Sequence, residues 1–88
     1  MVTKEIEVVN KLGLHARPAT MLVKTASSFQ SKVIIKKDEL SVDAKSIMGV
    51  LILAAQKGSR LILEVEGPDE EAAAEAMADL FLRGFDED

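Results

Sequence analysis

Apolar and charged residues alternate from Lys4 to Val8, with Ile6 and Val8 on one side and Glu5 and Glu7 on the other. A period of two marks a strand with one buried face. Asn10-Lys11-Leu12-Gly13 breaks the alternation, and Gly13 permits a backbone turn that other residues resist. From Ala16 the period changes. Ala19, Leu22, Val23 and Ala26 fall at i, i+3, i+4 and i+7, the spacing of one helix face. Pro18 sits in the first turn, where the N–H it lacks would have no helical partner. His15 is thus at or just before the helix N-terminus. The helix is expected to end near Ser27-Ser28, with Phe29 packing after it.

Lys32 to Lys36 is short and β-branched, which predicts a strand. Lys37-Asp38-Glu39 reads as a tight connection and Leu40-Ser41-Val42 as a short return strand. Asp43-Ala44-Lys45-Ser46 leads into a second helix, with Ser46 as N-cap ahead of Ile47, Met48, Val50 and Leu51. Val50 and Leu53 are assigned to the core. Lys57-Gly58-Ser59 closes this region. Arg60 to Glu66 alternates again, with Leu61, Leu63 and Val65 inward and Glu64 and Glu66 outward. Gly67-Pro68-Asp69 is a turn before a last helix, and Asp69, Glu70 and Glu71 suit the positive end of that helix. Ala73, Met77, Leu80 and Phe81 can face the core, and Gly84 ends the helix. The order β-α-β-β-α-β-α, with no linker or repeat, predicts an α+β fold with helices on one face of a mainly antiparallel sheet.

Composition narrows the function. The 88 residues suffice for one domain, 1–88, and too few remain for a second. Cysteine is absent, which excludes disulfides and thiolate metal sites. Phe29, Phe81 and Phe85 supply all the aromatic bulk, so the core is expected to be mostly aliphatic. The start of the chain carries Lys4, Glu5 and Glu7 and no apolar run, so it does not resemble a secretory signal. The longest apolar stretch, Val50 to Ala55, is too short to cross a bilayer. No membrane insertion is expected, and the expected location is cytoplasmic. A net charge of −4 argues against a nucleic-acid partner. The acids gather late in the chain and many lysines lie early, so a mildly basic face could meet an acidic protein. The same lysines could equally serve only to keep the surface solvated.

His15 is the only histidine. With no cysteine beside it, no metal site is expected, since zinc takes three or four such ligands. No Ser-His-acid triad, P-loop or dinucleotide fingerprint can be read. What remains is Gly13-Leu14-His15-Ala16-Arg17-Pro18. A helix N-terminus presents unpaired N–H groups and partial positive charge, both favourable to phosphate. Arg17 adds a guanidinium able to pair two phosphate oxygens. An imidazole there offers a nitrogen lone pair that can attack phosphorus and form an activated phosphorus–nitrogen bond. Spacing alone leaves the plainer readings open: an exposed or capping histidine, and a solvated arginine.

The stretch Gly13-Leu14-His15-Ala16-Arg17-Pro18-Ala19-Thr20 resembles the active-site signature of HPr, the phosphocarrier of the bacterial phosphoenolpyruvate-dependent phosphotransferase system. Lys45-Ser46-Ile47-Met48-Gly49-Val50-Leu51 resembles the regulatory-serine motif of that family at the family spacing, and Leu53-Ala54-Ala55-Gln56-Lys57-Gly58-Ser59 continues the match. The resemblance covers essentially the whole chain. It implies an open-faced β-sandwich with a four-stranded antiparallel sheet in the order 1-4-2-3 and three helices on one face. It implies that His15 accepts a phosphoryl group on Nδ1 from enzyme I and passes it to IIA domains, with Arg17 orienting the phosphate. It implies Ser46 as the target of an HPr kinase/phosphorylase, with a transcriptional regulator as a further partner. Thr20, Ile47, Met48 and Leu51 are implied as partner-binding, although apolar residues at helical spacing are more often core. No cofactor is expected. Leu12 departs from the small polar residue of many sugar-branch members. Asn10-Lys11-Leu12-Gly13-Leu14-His15 is closer to the nitrogen-related branch, NPr, whereas Pro18 and the Ser46 segment are closer to sugar-branch or regulatory members. The alternative is a regulatory binding module that acts through the Ser46 helix face, with His15 idle.

Overall fold

The computed structural model describes residues 1–87. The chain runs through β1 (Val2–Glu7), α1 (Ala16–Ser27), β2 (Lys32–Lys37), β3 (Leu40–Asp43), α2 (Ile47–Leu53), β4 (Arg60–Glu66) and α3 (Glu70–Leu82), followed by a 3-10 turn at Gly84–Asp86. The strands form one sheet in the order β1-β4-β2-β3, with every neighbouring pair antiparallel. This is the predicted order. The register Val33↔Val65 and Ile35↔Leu63 stacks the apolar residues of the two central strands on one face. Leu61, Leu63, Val65, Val33 and Ile35 are fully buried there. They alternate with exposed or half-buried residues that are polar except for Ile34 and Ile62, and this pattern explains the face chosen, since each buried Val or Leu contributes roughly 1.5–3 kcal/mol.

The helices cover that face. Helix α1 buries Ala19, Leu22 and Ala26, and α3 buries Ala73, Ala74, Met77, Leu80 and Phe81. Val50 and Leu53 turn inward from α2, as their assignment to the core requires. Phe81 meets Phe85 edge to face, ring centroids 5.0 Å apart.

Several local expectations need correction. Strand β1 begins at Val2 and ends at Glu7, so Val8 lies just beyond it. Val8 is still buried, and its backbone pairs with Ser59 and Gly58 at 2.9 and 2.7 Å. Lys4 shares the half-buried side of β1 with Val2 and Ile6, at the sheet edge, where a lysine stem can lie on apolar surface. Asp69, Glu70 and Glu71 stand at the N-terminus of α3 as expected, but the Asp69 carboxylate makes no capping hydrogen bond. It turns to the loop after α1, accepting from the N–H groups of Gln30 and Ser31, each at 2.9 Å, and from the Ser31 hydroxyl. Three donors there outcompete the open end of α3, while Glu70 takes up the Gly67 N–H at 3.1 Å. As expected, helix α3 stops at Leu82 with Arg83 as C-cap, and the left-handed Gly84 (φ +60°) closes it while also opening the 3-10 turn.

Candidate functional site

The segment between β1 and α1 is built around a close approach. Gly13 has φ +69°, and a Cβ there would stand 2.4 Å from the Ala55 carbonyl oxygen. Only glycine fits both constraints. The next residue uses the proximity, with Leu14 N–H donating to Ala55 O at 2.9 Å. This joins the segment leaving α2 to the segment entering α1.

His15 is the N-cap residue of α1, with extended backbone (φ −80°, ψ −171°). Its side chain does not cap the helix. The ring instead places Nε2 2.9 Å from Glu87 Oε2 and 3.2 Å from Glu87 Oε1, with about a third of the side chain exposed. The first-turn N–H groups of Ala16 and Arg17 have no partner within the helix, and Pro18 has none to offer. The exposed Arg17 lines a shallow depression with Lys11, Leu12, Asp86 and Glu87.

Glu87 was not foreseen. Phe85 holds the tail by its burial, and Gly84, Phe85 and Asp86 all have left-handed backbone, with φ of 60°, 57° and 60°. That turn returns the chain to the start of α1. The buried Asn10 meets it there, its Nδ2 donating to Glu87 Oε1 at 3.0 Å and to Gly13 O at 2.7 Å. Asn10 Oδ1 has no hydrogen-bond partner among the described residues. Partial burial pushes the Glu87 carboxyl up. The hydrogen bonds from Asn10 and His15, with the charge of His15 when its ring is protonated and that of Arg17, outweigh it and hold the group below the ordinary glutamate range.

Ser46 lies elsewhere, as N-cap of α2. Its Oγ accepts from Gly49 N–H at 3.2 Å, which is the capping geometry its position predicts. Ile47, Met48 and Leu51 are 39%, 64% and 38% exposed. Ile52, not singled out from the sequence, is exposed beside them. Thr20 is exposed on α1, its hydroxyl donating back to Ala16 O at 2.8 Å.

A family model described as the PTS HPr component phosphorylation site matches residues 2–82. The chain belongs to the HPr family. Full-length relatives agree with this. The phosphocarrier protein HPr of Treponema pallidum is 51% identical over 88 residues, covering all of both chains. The phosphocarrier protein NPr of Escherichia coli is 41% identical, covering 99% of this chain and 98% of the relative. The solved structure of HPr-C-His from Thermoanaerobacter tengcongensis superposes with a TM-score of 0.96 at 46% identity, covering 100% and 99% of the two chains. The HPr fold and the phosphocarrier role in the phosphotransferase system are therefore those of this chain. Among the described residues, no helix is long and apolar enough to cross a membrane.

Proposed function

We propose that His15 is the phosphoryl acceptor, taking the group on Nδ1 from phospho-enzyme I and passing it to IIA domains in the cytoplasm. The observation that carries this reading is the placement of the His15 ring at the N-terminus of α1, with both contacts to Glu87 made by Nε2. The other ring nitrogen is thereby the one available to phosphorus. A phosphoryl group on it would sit near the open N–H groups of the first turn and near the Arg17 guanidinium, which can hold two oxygens in one plane. Those contacts favour the tetrahedral anion without forming a bond that must later break. Ile47, Met48 and Leu51, with Thr20 on α1, provide the docking surface, and desolvation of a few apolar side chains supplies most of the affinity in such contacts. Ser46 is the site of regulatory phosphorylation. A phosphate there would add roughly −1.5 to −2 charges beside Ile47 and Met48.

Incubation with enzyme I and phosphoenolpyruvate should yield one acid-labile, base-stable phosphate on the protein. His15→Ala should abolish it and leave the fold intact, because the exposed part of the ring contributes little packing. Full labelling of the His15→Ala protein at another residue would overturn the assignment.

A further inference from the structure

We infer that Asn10 and Glu87 form a positioning pair that fixes the tautomer of His15, the amide holding the carboxylate and the carboxylate holding the ring. This rests on His15 as the acceptor and adds the residues that prepare it.

The chemistry of the three groups leaves one assignment. A carboxylate can only accept, so the nitrogen facing it, Nε2, carries the ring proton. In the neutral ring, Nδ1 then holds the lone pair. Asn10 is oriented just as firmly, since both of its contacts, Gly13 O and a Glu87 oxygen, are acceptors. The amide must present its NH2 group to them, which spends both hydrogens and leaves Oδ1 without a partner among the described residues. A buried amide with an orphaned acceptor is a poor core residue, and an apolar side chain would fill the place better. Its position is accounted for by the carboxylate it holds. The tail points the same way. Three successive left-handed residues, two of them not glycine, are an uncommon backbone, and here they deliver Glu87 to the ring.

The pair has a part in each half of the transfer. When the group arrives, the Nδ1 lone pair forms the N–P bond, and the bond from phosphorus to the donor breaks, its electrons returning to the donor. The proton on Nε2 stays in place, so the ring becomes a cation, and the Glu87 carboxylate stands beside that new charge. When the group leaves, the N–P electrons return to Nδ1 and the same tautomer is restored, ready for the next cycle. No proton has to be found or lost.

The test uses the full chain, labelled with 15N, and reads the His15 ring shifts at a pH where the ring is neutral. In the parent, Nε2–H should exceed Nδ1–H by roughly tenfold more than in Glu87→Ala, the factor expected for a hydrogen bond to a charged acceptor. Glu87→Ala should lower the rate constant for phosphoryl acceptance from phospho-enzyme I while leaving half-saturation by that donor unchanged. Asn10→Ala should give a smaller shift in the same direction, and no further shift when added to Glu87→Ala, because its effect on the ring proton runs through the carboxylate, while its bond to Gly13 O holds the turn. Should Asn10→Ala fail to fold, Glu87→Ala, in the tail beyond α3, carries the test alone. A parent that accepts phosphate on His15, with ring shifts and rate constant unchanged in Glu87→Ala, overturns the pair and leaves the acceptor standing. A parent that takes no phosphate on His15 defeats the acceptor reading, whatever the ring shifts show.

Discussion

Two carboxylates illustrate how single residues set the behaviour of this chain. Asp69 collects the hydroxyl of Ser31 and the N–H groups of Gln30 and Ser31. The Ser31 hydroxyl foremost, then the backbone donors, hold its carboxyl below the ordinary range against a smaller opposing effect of burial. A carboxyl depressed on folding favours the folded state above its unfolded pKa and loses that contribution as pH falls through the folded value. Urea unfolding should therefore show stability falling as pH drops below about 4, and Asp69→Asn should flatten that part of the profile. An unchanged slope in Asp69→Asn would assign the acid sensitivity to other groups. Glu87 is depressed in the same direction, for different reasons. At this scale the placement of His15 and Ser46 as N-cap residues, with Arg17 in the first turn of α1, was legible, because helix starts are local patterns. Asn10 and Glu87 were not. They lie 77 residues apart, one reads as an ordinary turn residue and the other as part of an acidic tail. The only sequence sign was Phe85 next to Gly84, an aromatic anchor after a helix end.

Helix α2 spans seven residues, Ile47–Leu53, and its apolar residues run nearly all the way round. Periodicity could therefore name Val50 and Leu53 as core while leaving Ile47, Met48 and Leu51 ambiguous, and only packing against α1 and β3 decides which side is open. The strands gave a sharper signal. β4 alternates from Arg60 to Glu66 with the single exception of Ile62 on the outward side, and its register with β1 and β2 fits that alternation. Such a short helix depends on its cap. Ser46→Ala should lower the stability of the protein by about 1 kcal/mol in denaturant titration. Ser46→Asp keeps an oxygen for the Gly49 N–H, so stability should stay near the parent value, while the added charge beside Ile47 and Met48 slows phosphorylation of His15 by enzyme I. A folded Ser46→Asp protein that accepts phosphate as fast as the parent would remove Ser46 as a switch.

At the scale of the molecule, the sheet has one face under the helices, and α2 leaves apolar side chains without cover. Met48, Ile52, Ile47 and Leu51 are all exposed on this one short helix, a denser patch than scattered surface residues produce. The segment after α2 is tied through Ala55 to Leu14, one residue before His15. A partner docked on α2 would thus be joined by one backbone hydrogen bond to the segment that carries His15. Folding and docking make separable demands on this surface. A residue 64% exposed contributes little to the core, so Met48→Asp should change unfolding stability by no more than about 0.5 kcal/mol. The same substitution places a charge where a partner must remove water, and an unpaired buried charge is costly. Calorimetric titration with enzyme I and with a IIA domain should show affinity weakened by roughly tenfold or more, the loss expected on disrupting a central contact. Loss toward one partner alone would show that the two use different parts of α2. Unchanged affinity for both, in a variant with the parent's unfolding profile, would mean that the apolar face of α2 is not where partners bind.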